Sequence, residues 1–573
     1  MAKVRYNVRF ENPSSHFFSV TMELELDSLQ PVSVSIPVWS PGSYMVRDYS
    51  TFLHQFRVES PESESHIMED LHTWKIFPKS KKLVLSYTIF AFEEHSVRTN
   101  YVHSEFAFLQ PTASFLYPRD IPVESISLQI EPSSYFRQIY TALEKSNTDG
   151  EYIATDYDSF FDSPIWVTNQ VSHHFKVGNC NHELVWEGNI PTELRTKLVN
   201  DLERIVSYEI GAMENNPNEY YLFVIDSSQK GYGGLEHKSC SINHFDPNRL
   251  DEPEEYAKLL ELLAHEYFHL WNGKRLRPIA LGPFDYQNPN LTKELWFVEG
   301  VTSFYDKFFI LKTGFLTPSQ YLKQIMDEIQ TLEENSGEDW MSLEESSFTA
   351  WTKYYKKTLV SNNVSISYYN KGALLVLSMD LWIRYHSNLE NSFLDLLKAL
   401  YGKYSDSNPG YRTEDIFRVA KETLGLDLFA EFYGHIHTRE KFPIDQYLSL
   451  MGVERIRSQP TAHLGIQLKE TDDHKIIVTK IHSKGPAMHS GLQLRDEVLG
   501  FGDQRIHLEY FHKWLKTKKE GETISLLVSS FGKLKTIPIP VGEKFAENSL
   551  QFSVNSLTPL EERVKNQFFF SNI

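Results

Sequence analysis

Residues 259–273 read LLELLAHEYFHLWNG, and the pentapeptide HEYFH within them is the most informative stretch of the chain. On a helix, His265 and His269 are four residues apart and lie on one face, where two imidazoles can bind one zinc ion. Glu266 lies beside them, placed to take a proton from a water activated by the metal. The pentapeptide therefore predicts a helix that carries two metal ligands and a general base.

The sequence around the pentapeptide predicts where this helix begins and ends. Asp251 can cap its start, and Pro253 suits the first turn. Gly273 can terminate it, with basic residues just beyond at the negative end of the helix dipole. Apolar residues at helical spacing form a stripe that can face a core, namely Leu259, Leu263, Tyr267 and Leu270.

A third metal ligand is available in the segment LWFVEG at 295–300, where Glu299 follows His269 by 30 residues. A carboxylate among apolar residues is costly unless it is paired or bound to a metal. A salt bridge from Glu299 to Lys293 or Lys307 is the ordinary alternative. Two histidines and one carboxylate leave one tetrahedral position open, which is typical of a catalytic zinc. We therefore expect one zinc ion per chain, bound by His265, His269 and Glu299.

Bulk properties restrict the class of protein. A chain of 573 residues is expected to form three or four domains. Its net charge of −19 argues against nucleic acid or an anionic membrane as the main partner. The two cysteines, Cys180 and Cys240, exclude a disulfide framework and favour a reducing compartment. The start lacks the apolar core of a signal peptide, and no apolar stretch of about 18 residues occurs, so a cytoplasmic location is predicted.

The pattern along the chain predicts a multidomain α+β protein. Alternating apolar residues and Pro/Gly/Ser turns indicate an antiparallel β domain over 1–168. Helical periodicity dominates 169–450, the expected catalytic domain. A linker is expected at 451–460, then a small β-rich domain at 460–542 and a tail at 543–573 with a helix at Pro559–Phe569.

The small β-rich domain resembles a PDZ domain of the bacterial protease type. The resemblance rests on LGIQL at 464–468, GPAMHSGL at 485–492 and DEVLGFG at 496–502. It implies that the Leu-Gly-Ile turn binds the C-terminal carboxylate of a peptide or protein, whose chain pairs with the next strand. Packing within the chain, without any ligand, is the alternative.

The segment GYGGLEH at 231–237 predicts a substrate-binding element. Gly234 allows close backbone approach in a glycine turn, and a strand from Leu235 to Asn243 can pair with an extended peptide. Glu236 can then bind a free α-amine, so that only the first peptide bond is cut. The segment GAMEN at 211–215 offers Glu214 as a rival. We favour Glu236, because it follows the glycines and is closer in sequence to HEYFH.

The segment SYYNKG at 367–372 opens a further helix and can supply an oxyanion donor. Either Tyr368 or Tyr369 can provide the phenol. An ordinary packing role is the alternative, because the chain contains 30 tyrosines.

In combination, HEYFH, WFVEG, GGLEH, the N-terminal WSPGSY at 39–44 and the PDZ-like order resemble the glycyl aminopeptidase family. The resemblance implies a gluzincin with a β domain, a thermolysin-like catalytic domain and a PDZ domain. It also implies a zinc aminopeptidase that prefers small N-terminal residues such as Gly and Ala.

Aminopeptidase N is a more distant relative, and its Tyr-x-Lys-Gly pattern aligns with Tyr369–Gly372. This alignment favours Tyr369 over Tyr368 as the oxyanion donor. The longer spacing before Glu299 implies an insertion, 276–293, that loops out. Gln110 is a loose counterpart of a glutamine that contacts the substrate amine in that relative.

Two other functions remain open from the sequence. In a zinc endopeptidase or oligopeptidase, Glu236 would be structural. In a PDZ-bearing adaptor, the metal site would be vestigial. Peptides with a free N-terminus are the expected substrates, and no nucleic acid or membrane partner is expected.

Overall fold

The computed structural model describes residues 2–59, 65–148, 150–227, 231–405, 409–457, 460–545 and 548–571. The chain divides into two compact units. The first comprises Met1–Leu291, Tyr305–Phe315 and Leu400–Tyr411, and the second comprises Thr292–Phe304, Leu316–Ala399 and Arg412–Ile573.

The first 168 residues are rich in strands, as the alternating pattern predicts. Their strands are β1 (Ala2–Arg9), β2 (Phe17–Glu25), β3 (Val32–Ser35), β4 (Leu53–Val58), β5 (Ser65–Asp70), β6 (Thr73–Phe77), β7 (Lys82–Phe90), β8 (Tyr101–Val102), β9 (Phe106–Leu109), β10 (Tyr117–Pro118), β11 (Val123–Ile130), β12 (Gln138–Thr141), β13 (Glu144–Lys145), β14 (Glu151–Ala154) and β15 (Ile165–Thr168). Two short helices are α1 (Pro111–Ser114) and α2 (Tyr157–Phe161).

These strands form three sheets among the described residues, in the orders β13-β14-β11-β1-β2-β7-β4, β10-β3-β6-β5 and β12-β15-β9-β8. The pairing is antiparallel except between β1 and β11. In β1, alternate side chains are buried, because one face of the sheet packs into the domain core. The predicted β domain is confirmed.

The rest of the first unit is a mixed sheet with two long helices. Its strands are β16 (His173–Val177), β17 (Cys180–Glu187), β18 (Tyr220–Asp226), β19 (Tyr232–Glu236) and β20 (Cys240–Phe245). The helices are α3 (Thr192–Met213) and α4 (Pro253–Phe268). The order is β16-β17-β18-β20-β19, with β17, β18 and β20 parallel and β19 antiparallel at the edge.

The predicted strand from Leu235 to Asn243 is wrong. The chain reverses after Glu236, where the His237 amide donates to the Cys240 carbonyl (2.9 Å), so β19 and β20 form a hairpin. The two glycines before Leu235 lie within β19 and not in a turn.

The predicted ends of the HEYFH helix are also partly wrong. Helix α4 begins at Pro253 with Glu252 at its N-cap, so Asp251 lies one residue too early to cap it. The helix ends at Phe268. Gly273, with φ of 114°, lies in the turn that follows, where its amide donates to the Leu276 carbonyl (2.8 Å).

Helix α5 (Leu295–Lys312) includes Glu299, so the third candidate metal ligand is helical. The preceding insertion, 276–293, is anchored to the β domain and does not hang free. Tyr286 is part of that domain's core, and the Trp39 indole donates to the Asp285 carbonyl (2.8 Å).

The second unit contains most of the remaining helices. They are α6 (Pro318–Glu334), α7 (Leu343–Phe348), α8 (Ala350–Lys353), α9 (Ser361–Val364), α10 (Tyr368–His386), α11 (Phe393–Tyr404), α12 (Thr413–Leu424), α13 (Leu428–His437), α14 (Ile444–Ser449), α15 (Leu508–Leu515) and α16 (Pro559–Phe569). Helices α5 and α11 contribute residues to both units.

The C-terminal part of the second unit is β-rich. Its strands are β21 (Val453–Arg457), β22 (Pro460–His463), β23 (Ile466–Glu470), β24 (Ile476–Ile481), β25 (Glu497–Phe501), β26 (Gln504–Arg505), β27 (Thr523–Ser530), β28 (Lys533–Pro540), β29 (Gly542–Phe545) and β30 (Asn548–Phe552). The sheet β23-β24-β25-β27-β28 encloses its own apolar core, and the predicted PDZ domain is confirmed.

The predicted linker at 451–460 is wrong. It contains β21, which pairs with β30, and the start of β22, which pairs with β29. The polar residues of this segment suggested a linker because its strands are short and their partners lie far along the chain. In the described part of the chain, no helix combines the length and apolar character needed to cross a membrane.

Candidate metal centre and active site

The two histidines of HEYFH face each other, as the helical spacing predicts. His265 lies in the last turn of α4, and His269 follows the helix with helical dihedral angles. Their Nε2 atoms are 3.1 Å apart, and their rings are nearly perpendicular, at 80°. Two Zn–N bonds of about 2.0 Å in a tetrahedral arrangement place the ligand atoms roughly 3.3 Å apart. The spacing of the nitrogens therefore fits one zinc ion.

The outer nitrogen of each ring has a defined partner. His265 Nδ1 donates to Asp306 Oδ2 (2.9 Å), and His269 Nδ1 donates to the Asn272 carbonyl (2.8 Å). Such bonds select the tautomer in which Nε2 carries a lone pair and fix the ring orientation. Both Nε2 atoms are thus prepared to bind a metal.

The third predicted ligand, Glu299, is 2% exposed and lies on α5. Asp306 follows it by seven residues, nearly two full helical turns, so both carboxylates project from one face of the helix. Ligand atoms of His265, His269 and Glu299 lie within 4.8 Å of one another. Two imidazoles and one carboxylate form the donor set of catalytic zinc, so the residues present fit this ion.

The lysines considered as ordinary partners of Glu299 have other salt bridges. Lys293 pairs with Glu344, and Lys307 Nζ lies 3.5 Å from Asp306. A salt bridge from either lysine to Glu299 stays the alternative prediction.

Glu266, the predicted base, is 5% exposed and lies beneath strand β19. A Cβ atom at Gly234 would lie 2.1 Å from Glu266 Oε1. Glycine at this position is therefore required for the edge strand to approach the carboxylate. This contact explains the glycine that the sequence places two residues before Glu236.

Glu236 lies at the end of β19 and close to the same centre. Ligand-type atoms of Glu236, Glu266 and His269 lie within 4.8 Å of one another. A Cβ atom at Gly42, whose φ is +86°, would lie 2.6 Å from Glu236 Oε1. The WSPGSY turn therefore covers this carboxylate at van der Waals distance.

A buried ionic network supports the backbone around Glu236. Lys274 Nζ donates to Asp162 Oδ1 (2.6 Å), and His237 Nδ1 lies 3.0 Å from the same oxygen. Burial alone would lower the pKa of Lys274, but neighbouring Asp162 outweighs it and raises that pKa. Burial would likewise raise the pKa of Asp162, but Lys274 and His237 hold it below its ordinary value. The pair is therefore ionised, and it fixes the turn after Glu236.

Glu214, the rival carboxylate, has a different setting. It is the C-cap of α3 in the left-handed conformation, with φ of 59°, and it is exposed. Neighbouring Asn215 accepts a hydrogen bond from the Trp271 indole (2.8 Å). The GAMEN segment thus contributes to packing behind the HEYFH helix.

Tyr369 and Glu299 are brought together where α5 and α10 cross. A Cβ atom at Gly300 would lie 2.6 Å from the Gly372 backbone, and one at Gly372 would lie 2.7 Å from the Trp296 carbonyl. The two helices are therefore in backbone contact one residue after Glu299 and three residues after Tyr369. Burial and then Glu299 raise the pKa of Tyr369 well above its ordinary value, so the phenol stays protonated and can donate a hydrogen bond.

The other residues of SYYNKG hold the start of α10. Asn370 Nδ2 donates to the Glu328 carbonyl (2.9 Å), and fully buried Lys371 Nζ lies 2.9 Å from Glu338. Tyr368 is fully buried, whereas Tyr369 retains partial exposure. Partial exposure is what a donor to a substrate oxyanion needs.

Gln110 is buried, and its Oε1 has no hydrogen-bond partner among the described residues. Its main chain forms the N-cap of α1. The suggested contact of Gln110 with a substrate amine remains a prediction.

Three contributors to the site did not emerge from the sequence reasoning, namely Asp306, Asn272 and Gly42. The seven-residue interval between Glu299 and Asp306 was a visible signal of a shared helix face. The other two depend on the path of the folded backbone, which no local pattern specifies. Buried Glu209 lies near Asp306, and burial followed by that neighbouring carboxylate raises the pKa of Glu209 well above its ordinary value.

Comparison with known proteins agrees with this architecture. The M61 glycyl aminopeptidase model matches residues 258–375, the Peptidase M61 N-terminal domain model matches 5–169, and the PDZ domain model matches 462–541. None of the curated proteins matches the chain.

Among solved structures, an aminopeptidase N family protein from Idiomarina loihiensis aligns with a TM-score of 0.92 at 22% identity, covering 99% of this chain and 100% of that one. This similarity shows the fold. An M1 zinc metallopeptidase from Deinococcus radiodurans aligns with a TM-score of 0.49 at 10% identity, covering 77% of this chain and 96% of that one. Leukotriene A4 hydrolase from Saccharomyces cerevisiae gives 0.48 at 13%, with 77% and 68% covered.

The catalytic helix, the β domain and the PDZ domain thus match models in the order that the resemblance implies. The chain thus carries matches to the catalytic-domain and N-terminal-domain models of the M61 glycyl aminopeptidases, together with a PDZ domain, and is a metallo-aminopeptidase.

Proposed function

We propose that this chain is a zinc aminopeptidase that hydrolyses the first peptide bond of peptides with a free N-terminus. One catalytic zinc ion per chain would be held by His265, His269 and Glu299. The observation that carries the proposal is the convergence of these three side chains, with both histidine Nδ1 atoms already bonded elsewhere. When bound, zinc supplies Lewis-acid polarisation of the scissile carbonyl and activation of water near neutral pH.

The protein groups around this centre transfer protons, stabilise the oxyanion and position the substrate. Glu266 takes the proton of the attacking water and passes it to the leaving amine. Tyr369 donates a hydrogen bond to the oxygen that becomes negative, which its raised pKa supports. Gly234 permits the substrate-binding strand to approach Glu266.

Glu236 is the proposed ligand of the substrate's α-ammonium. Its position at the end of edge strand β19, close to Glu266 and His269, supports this role. An extended peptide can add to the edge of β19 that faces away from β20, where Arg98 now donates to the Gly234 carbonyl (3.1 Å), and end at Glu236. Because the Gly42 turn covers Glu236, a peptide that continues beyond its amine would meet the N-terminal β domain.

A preference for small N-terminal residues such as Gly or Ala is part of the proposal. The same close contact at Gly42 limits the space beside the amine site, which supports it. A panel of aminoacyl anilides would measure this preference. Equal kcat/KM values for Gly, Ala, Leu and Phe anilides would contradict it.

The central experiment compares one peptide with a free and with an acetylated N-terminus. We expect cleavage of the first bond in the free peptide and no cleavage after acetylation. Cleavage of both, at an internal bond, would instead establish the endopeptidase alternative. Glu266→Gln should retain zinc and lose turnover, and an active Glu266→Gln enzyme would refute the assigned base.

The PDZ domain is proposed to bind the C-terminus of a peptide or protein. Strand β23 is at the edge of its sheet among the described residues and follows the Leu-Gly-Ile turn, which supports this function. We also retain, as proposals, the domain boundaries 1–168, 169–450, 460–542 and 543–573 and the cytoplasmic location.

A further inference from the structure

A second cluster of metal-ligating side chains lies at the carboxyl ends of the parallel strands in the first unit. Asp226 is the last residue of β18, and His244 is the penultimate residue of β20. The two are register partners, so their side chains lie next to each other on one face of the sheet. His95, from the segment between β7 and β8, approaches the same face.

The three side chains are within reach of a single ion. Ligand atoms of His95, Asp226 and His244 lie within 4.8 Å of one another. His95 Nε2 contacts Asp226 Oδ2, and the centroids of the two imidazole rings are 4.7 Å apart. The donor set, two imidazoles and one carboxylate, is that of the catalytic centre, with which it shares no residue.

The surroundings hold these rings in place. The His95 ring stacks on Tyr101, with centroids 4.1 Å apart. A Cβ atom at Gly231 would lie 2.4 Å from His244 Cε1, so the first glycine of GYGGLEH packs directly on the other imidazole. All three side chains are about nine-tenths buried. Because the side chains are already held in one orientation, the entropic cost of binding a metal ion is lower.

An ordinary ion pair accounts for this cluster less well. His95 Nδ1 is buried and has no hydrogen-bond partner among the described residues, which is costly for a polar atom. The neighbouring carboxylate of Glu187, the register partner of Asp226, is satisfied by Thr168 (2.6 Å). This hydrogen bond engages Glu187 outside the cluster, so the three candidate ligands remain His95, Asp226 and His244.

We propose that His95, Asp226 and His244 form a second divalent-cation site, of the zinc type, in addition to the catalytic one. Imidazole and carboxylate ligands in this number suit zinc, with water completing the tetrahedron. The ion would join the segment after β7 to the ends of β18 and β20. His244 is the register partner of Gly233 in β19. The bound ion would therefore also stabilise β19, the strand proposed to bind substrate.

The test is the zinc content of the full-length protein. Metal-free protein is saturated with zinc, freed of excess by buffer exchange and analysed by mass spectrometry. We expect two equivalents in the wild type and one in His244→Gln and in His95→Gln, which preserve side-chain size. His474→Gln is the control, because His474 also pairs with an acidic residue, Glu470 (3.0 Å), but is exposed. It should retain two equivalents.

Two outcomes would overturn the proposal. One is a single equivalent in the zinc-saturated wild type. The other is a second equivalent that persists in both His244→Gln and His95→Gln, which would locate it elsewhere. Anomalous scattering at the zinc edge from wild-type crystals checks the position even if a variant fails to fold. Because His265 and His269 are unchanged in these variants, failure here does not affect the proposed peptidase site.

Discussion

Substitution of Gly372 by alanine should disrupt the crossing of α5 and α10 and, through it, the active site. The new Cβ atom would lie 2.7 Å from the Trp296 carbonyl oxygen and 3.0 Å from Gly300 Cα. Both are main-chain atoms, which cannot rotate away as a side chain can. The helices must therefore separate by several tenths of an ångström.

The size of the effect follows from two opposing terms. Overpacking of this kind costs typically up to about 3 kcal/mol. Replacing a glycine within a helix by alanine stabilises the folded state by about 1 kcal/mol, because alanine has the higher helix propensity. The net loss of about 2 kcal/mol corresponds to a decrease in Tm of roughly 4–8 °C for a domain of 150–250 residues. Since a misplacement of about 1 Å can reduce a rate 100-fold, kcat/KM should fall by about one to two orders of magnitude.

Gly434→Ala provides a matched control. Gly434 is also within a helix, α13, but nothing lies within 4 Å of the position that a Cβ atom would take there, so only the favourable term remains. Its Tm should rise by a few degrees at most, and its activity should not change. Thermal unfolding at one scan rate and initial rates with an aminoacyl anilide measure both quantities. A Gly372→Ala enzyme with unchanged Tm and full activity would refute the reasoning.

Three further outcomes are expected. Asp306→Asn should weaken zinc affinity about 10–100-fold, measured by chelator competition, because the carboxylate that orients the first histidine is lost; unchanged affinity would count against that orientation. Glu236→Ala should abolish removal of N-terminal residues while Glu214→Ala does not, and the reverse result in a peptide-trimming assay would exchange their roles. The folded-state pKa of Asp162 is below its ordinary value, so the stability it gains beside Lys274 is present above about pH 4 and is lost as the pH falls further. The Tm difference between wild type and Asp162→Asn should therefore shrink below that pH, and a constant difference would argue against the ion pair.

Elements with strong local periodicity were predictable from the sequence. Helix α16 has the predicted bounds, Pro559–Phe569, because apolar spacing and the capping residue Thr558 define it locally. Strand β21 was not predictable, because its partner β30 lies almost a hundred residues away. The same holds for the hairpin of β19 and β20, which a single turn at 237–239 creates.

The candidate site shows the same division. The histidine pair and Glu266 follow from spacing within one helix. Asp306 could have been inferred from its interval to Glu299, whereas the Gly42 contact joins residues almost two hundred positions apart. The catalytic and binding roles of these residues stay predictions for the variants above to test.

Helix α5 carries both Glu299 and the carboxylate that holds His265, and this arrangement imposes a phase constraint on the chain. Deleting one residue between positions 299 and 306 would swing one carboxylate about 100° around the helix axis relative to the other. A substitution at either position alters one contact. An insertion or deletion between them would disturb both the Glu299 ligand and the Asp306–His265 hydrogen bond. Any redesign of the segment must therefore preserve its length before its composition.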